Sequence, residues 1–317
     1  MIGGKNKKIN SKMNNIKEDS IFISNLPLDC SDQELLEIKK ENSQYDPYYI
    51  VSGCCSDRKE KFDRLWKKYK PYADNHFLNE IKIHFHQRSW EMYIGNVLLE
   101  KGLELESGNE GPDFIIPNIA YIECVAPTKG DPTKNDSVPE MYIAEKLDKI
   151  VVQNVPVDKM ILRISQSIKE KVNHYKKWKG KKWFNENTPF IIAINTADLG
   201  HVDNSCMPNV LKTLFGFQYM QINIKNRSTS YSYRDDVKKE SNKVVPVNYF
   251  SNPDFNFVSG VLFSNKNVLN HPKKIGDDCI FVNNPFAKTI IDQSFVGFFN
   301  NWFASKNKNG IKLEKCY

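Results

Sequence analysis

Residues 90–126 read WEMYIGNVLLEKGLELESGNEGPDFIIPNIAYIECVA, and this stretch decides the fold. Its first part continues an apolar pattern that runs through Phe77, Ile81, Phe85, Trp90, Tyr93, Ile94, Val97 and Leu98. That spacing predicts helix from His76 to Glu100, in one segment or two, closed by Gly102. Leu103–Glu106 reads as a short strand, and Ser107–Pro112, rich in Gly and Asn, as a turn. Asp113–Pro117 and Ala120–Ala126 read as two further strands joined at Pro117-Asn118. Three acids stand out: Glu91 in the helix, Asp113 at the entry of one strand, Glu123 inside the next. On an antiparallel pair, Asp113 and Glu123 can come side by side. Two close carboxylates repel, and a divalent cation relieves the repulsion.

Each acid also has a plainer reading. An acid at a strand entry is often a turn or capping residue. Glu123 is ordinary alternation if one face of its strand is wet. If both faces are buried, an ionised Glu there must be paired or metal-bound. His84 and His86, two apart in a helix, point away from each other and make a poor metal pair.

Working outward, Ser31 with Glu34 three residues on marks a capped helix start, and Asp57–Lys70 is a charged helix with Phe62, Leu65, Trp66 and Tyr69 on its apolar face. Ser20–Ile23 is expected as a short strand or extended lead-in, and residues 1–18 as a solvated tail. Met141–Val151 has helical character. Downstream, Ile164, Ile168, Val172, Tyr175 and Trp178 give an amphipathic helix within Asp158–Lys179, and TPFIIAIN (188–195) a buried strand. Val210–Phe217 reads as a helix, Gln218–Ile224 and Phe257–Phe263 as strands, and Arg227–Ser241 as an exposed loop. The expected fold is α/β: a central mixed β-sheet flanked by helices. With no repeat and no strong linker, residues 19–317 are expected as one elaborated domain with its core at about 76–200.

Composition sets the outer limits. A hydrophobic fraction of 40% and a charged fraction of 26% exclude wholesale disorder. A net charge of +7 is compatible with a nucleic-acid partner without requiring one. No apolar run is long enough to cross a membrane, and no apolar segment follows the lysine-rich start. The seven cysteines include no C-x-x-C pair. Reduced thiols, a cytoplasmic location and no membrane partner are the expectations. Phosphate-binding glycine loops and a G-x-S-x-G elbow are absent from the sequence. Cys124 reads as a core residue rather than a nucleophile.

The helix acid, the G-P-D-F strand entry and the I-E-C-V-A-P strand together resemble the PD-(D/E)XK nuclease superfamily over about residues 85–195. R-x-W-E-M-Y and P-F-I-I-A-I-N extend the likeness to a group of bacterial proteins within it. The resemblance implies a restriction-endonuclease-like core with N- and C-terminal elaborations. It implies Asp113 and Glu123 as ligands of Mg²⁺ or Mn²⁺, with Glu91 completing the site, and hydrolysis of DNA phosphodiester bonds. RNA as substrate and a homodimer stay open. The superfamily's usual lysine, two residues after the second acid, is here Val125. In some members that lysine sits on the neighbouring helix, and Lys171, on the apolar face of 158–179, is the expected replacement. Snorkelling out of that face is the plain alternative for Lys171. Lys129 is a weaker replacement, and Ser165 and Gln166 could hydrogen-bond the site.

Lys169, Lys176, Lys177, Lys179, Lys181 and Lys182 lie among Tyr175, Trp178 and Trp183. Basic residues beside aromatics suit phosphate contact with base stacking, although a wet helix face with inward aromatics gives the same pattern. Arg88 is expected to touch a phosphate or to pair with Glu91. The competing function is a catalytically inactive nuclease-fold module that binds nucleic acid or a protein. Val125 in the lysine's place is its main support.

Overall fold

The computed structural model describes residues 19–106, 111–141, 153–200, 207–267, 269–307 and 310–316. The chain is α/β, with a seven-stranded mixed sheet flanked by helices. Among the described residues five helices come first: α1 (Asp32–Glu41), α2 (Pro47–Gly53), α3 (Ser56–Tyr69), α4 (Phe77–Ile83) and α5 (Phe85–Glu100). α1 starts at the expected capping box, Ser31 accepting from Glu34 N and the Glu34 carboxylate from Ser31 N. α2 opens on an Asp46 cap and Pro47 and has only seven residues, too few for periodicity to reveal. The helical pattern over 76–100 is two helices, broken at His84 (φ −126°, ψ 52°). α5 is buried along nearly all of Trp90–Leu98, so it is a core helix rather than an amphipathic surface one.

β1 (Phe114–Ile116) and β2 (Ala120–Val125) form the expected antiparallel pair, turning through Asn118 at φ 60°. Leu103–Glu106 contributes one bridge, Glu106 to Ile115, rather than a strand. α6 (Val157–Trp178) carries the chain over to β3 (Phe190–Asn195), which runs parallel to β2. A parallel neighbour needs such a crossover. Met160–Leu162, just ahead of the periodic positions, lies within α6.

Beyond α7 (Asn209–Phe215) come two hairpins, β4 (Phe217–Ile222) with β5 (Thr229–Tyr233), and β6 (Asp236–Lys238) with β7 (Val244–Pro246). The stretch 227–241, expected as an exposed loop, is mostly exposed but carries β5 and β6. β8 (Val258–Ser264) joins β3 in parallel, β9 (Ile280–Asn283) is antiparallel to β8, and β10 (Asn300–Asn307) is parallel to β9. α8 (Gln293–Val296) precedes β10, and β11 (Gly310–Cys316) closes the edge. The sheet order is β1-β2-β3-β8-β9-β10-β11, so four of its strands follow residue 200 and the core extends past the expected 76–200. Ser20–Ile23 is not a strand, although Ile21 and Phe22 are buried. The expected tail (1–18) and nearly all of the expected helix at 141–151 lie outside the described residues.

Alternation sorts the strand side chains onto two faces. Ala120, Ile122, Cys124, Ile191 and Ala193 pack under the N-terminal helices. Tyr121, Val125, Phe190, Ile192 and Ile194 pack with Ile164, Ile168 and Val172 of α6 and with α7. Glu123 falls on the α6 face, in a strand buried from end to end.

Candidate active site

The site is built where a short strand lies beside a long one. β1 has three residues and β2 has six, so the last part of β2 lacks a strand partner on that side. Its backbone groups must still be satisfied. Side chains do this. Asp113 Oδ2 accepts from Cys124 N at 2.6 Å, and the Gln87 amide receives Ala126 N at 2.7 Å while donating to Cys124 O at 3.1 Å. The carboxylate of Asp113 is thereby fixed beside Glu123, on the strand next to its own.

Lys171 reaches the pair from α6. Its Nζ donates to Glu123 Oε2 at 2.6 Å and stands 4.0 Å from Asp113 Oδ2. The Lys171 side chain is 11% exposed, that of Glu123 3% and that of Asp113 23%. Lys171 therefore does not snorkel to solvent. Val125, where the resemblance would expect a lysine, packs with the apolar residues of α6. His174, one turn after Lys171, brings Nδ1 to 3.7 Å from Glu123 Oε2. Its spacing of three residues from Lys171 puts both on one helix face.

Electrostatics here is short by one positive charge. Burial, and next the repulsion of Glu123, raise the Asp113 pKa well above the usual carboxylate range, against the pull of Lys171. Burial works to strip the Lys171 proton, but Asp113 and Glu123 more than reverse this, and its pKa is raised. One ammonium thus serves two carboxylates. Asp113 and Glu123 each keep an oxygen outside these hydrogen bonds, so the pair fits a hard cation, which takes one or two carboxylates together with waters.

Glu91 comes to the same cavity but differs in state. Its Oε1 accepts from Tyr69 Oη at 2.7 Å and its Oε2 from Arg88 at 2.6 Å. Both carboxylate oxygens are engaged, so the expected third ligand is a clamped acid instead. Among the described residues no three His, Cys, Asp or Glu side chains group closely enough to hold a metal ion. Arg88 lies among Glu91, Asp74 and Glu80, with its charge committed to these acids rather than free for a phosphate. Neither Tyr69 nor Gln87 carries a sequence signal, because each acts through a partner far along the chain.

A cavity of about 370 Å³ is lined by Glu91, Asp113 and Lys171, with His84, Gln87 and Gln166 around them. His86 is buried near His271 instead, so the two histidines diverge. Burial, and next His271, lower its pKa to about 4. Lys129 pairs with Glu140 and Ser165 bonds Tyr249, so neither serves the carboxylates. Burial raises the Cys124 thiol far above its usual range, which removes it as a nucleophile at neutral pH. Lys176, Lys177, Lys179, Lys181 and Lys182 are exposed and Lys169 is half-buried. The aromatics between them point inward: Tyr175 stacks on Phe257 at 4.5 Å, and Trp178 meets Phe190 at 5.6 Å. The basic run can meet phosphates but does not offer rings for base stacking.

Comparison with family models, with curated proteins and with solved structures gives no match. Among the described residues no helix is long and apolar enough to cross a membrane.

Proposed function

We propose that this protein is a metal-dependent nuclease of the PD-(D/E)XK type, hydrolysing DNA phosphodiester bonds. One observation carries the reading: Lys171 of α6 stands 2.6 Å from Glu123 and 4.0 Å from Asp113. A catalytic lysine carried by the neighbouring helix instead of the strand would stand there. The order α5, β1, β2, α6, β3 agrees with a restriction-endonuclease-like core.

Asp113 and Glu123 would hold the cation, Mg²⁺ or Mn²⁺. Bound there, it would offset phosphate charge and acidify a water. The chain's own groups do the rest. Asp113, held by the Cys124 amide, keeps its orientation as substrate enters. Lys171, protonated and borne by Glu123, directs N–H groups at the charge that grows on the attacked phosphate. The clamped Glu91 adds negative charge that, with burial and Glu123, raises the Asp113 pKa and so favours a cation beside it.

A specific observation favours the inactive binding module as a second reading: Glu123 is 3% exposed and closed by Lys171 as an ion pair. Plasmid incubated with the purified protein and Mg²⁺ separates the two. Cutting that is lost in Asp113→Asn is expected. Equal, metal-independent behaviour of wild type and variant would sink the nuclease reading.

A further inference from the structure

A second cavity, of about 450 Å³, adjoins the carboxylate cavity, because Arg163 and Gln166 line both. It lies between α6, the loop 130–137 and the β6–β7 hairpin. Ile161 and Leu162 of α6 pack with Val237, Val245 and Val247, so the hairpin is anchored by an apolar cluster while its tip, 239–243, overhangs the helix. Asp136 accepts from Glu240 N at 2.8 Å and ties the loop to that tip.

The charges in this cavity are one-sided. Lys134, Arg163, Lys169, Lys239 and Lys243 line it, against the carboxylates of Asp131 and Asp136. Both acids are occupied with local hydrogen bonds, Asp131 with Thr133 and Asp136 with the hairpin tip. None of Lys134, Lys169, Lys239 and Lys243 has a carboxylate partner among the described residues. Burial, and next Lys243 and Lys239, depress the Lys169 pKa, as expected for ammonium groups gathered without a counter-charge. With a net charge of only +7 on the whole chain, such a gathering is local rather than a general excess.

We infer that this cavity is a phosphate subsite for the backbone of a polynucleotide, which runs along α6 from Lys239 and Lys243 past Arg163 to Asp113 and Lys171. The continuation to the carboxylates rests on the nuclease reading above; the phosphate subsite stands on the lysines and the cavity. Arg163 is fixed at the junction by hydrogen bonds to Thr128 O (2.7 Å) and Gln166 (2.9 Å), a rigid cation between the two cavities.

The test is binding of a short labelled DNA duplex by anisotropy, in EDTA, across a salt series. The variants are Lys239→Glu/Lys243→Glu and, with the same charge change elsewhere, Lys39→Glu/Lys40→Glu on α1. The hairpin variant is expected to bind about tenfold or more weakly and to flatten the slope of log K against log salt by about 2, near one unit for each phosphate left without its lysine. The α1 variant should keep the wild-type slope. Equal slopes in all three would overturn the inference. A titration with inorganic phosphate tells the sources apart. Saturable phosphate binding that the hairpin variant loses, with duplex affinity unchanged, would replace the backbone by a small phosphate and defeat the proposal. Hydrolysis of bis(p-nitrophenyl) phosphate with Mn²⁺ reads the carboxylates separately and should need Asp113 but not Lys239 or Lys243. A changed slope without such hydrolysis keeps the subsite and removes the nuclease; hydrolysis with an unchanged slope does the reverse.

Discussion

Asp113 does two things whose energies oppose each other. Its carboxylate satisfies Cys124 N, which stabilises the end of β2, and it repels Glu123, which destabilises the folded state. Asn keeps the acceptor and drops the charge. Asp113→Asn is therefore expected to abolish cleavage and yet raise the metal-free melting temperature by about 1–2 °C, on the order of 1 kcal/mol. A purely structural Asp113 would give a lower melting temperature. The pH dependence has a definite sign. A carboxylate raised above its ordinary 3.8 leaves the folded protein holding more protons than the unfolded chain between that value and the raised one. Stability on this account falls as pH climbs through that window. Calorimetric scans with and without Mg²⁺ should then show the ion stabilising more at about pH 8 than at about pH 5, and Asp113→Asn should flatten the difference. Lys171→Met removes the only ammonium of a buried pair and should cost roughly 3 kcal/mol in urea unfolding. Lys171→Met with Glu123→Gln should cost less than Lys171→Met alone, because Glu123 is then not left as a buried charge without its partner.

At the scale of elements, the site depends on how closely α5 lies against α3 and β1. Gly95 marks this approach: a Cβ there would meet the Tyr69 ring at 2.6 Å and Phe114 at 3.2 Å. Tyr69 holds Glu91, and Phe114 follows Asp113. Gly95→Ala should cost about 1–3 kcal/mol and lower cleavage more than a surface helix substitution of similar destabilisation. Denaturation together with cleavage rates on the same preparations would check it. The sequence carries these elements unevenly. α6 is legible because its helical period repeats over 22 residues, and β2 and β3 because each is a mostly apolar run set off by turn residues. α2, β6, β7 and β9 are not, since three to seven residues repeat the strand or helix period at most about twice, too few times to stand out. The three acids and Lys171 are legible as residue types out of place. Tyr69, Gln87 and His174 are not, since their roles come from tertiary neighbours.

For the whole molecule, the sheet ties the two parts of the chain together. β3 lies between β2 and β8, so the strand that closes the candidate site on one side is itself covered by a strand from beyond residue 200. A fragment covering 19–200 would leave the β3 edge open, with Ile191, Ile192 and Ala193 next to it. It is expected to bind a hydrophobic dye and lack a sharp thermal transition, whereas the full chain unfolds cooperatively. Independent folding of the fragment would place the boundary near residue 200 after all. The hydrogen bond from Cys124 N to Asp113 has one more consequence. That single amide proton sits on the group whose ionisation governs both the charge at the site and its stability. Its NMR frequency should follow the state of Asp113 as acid or ion is added, so the backbone contains its own indicator for the site.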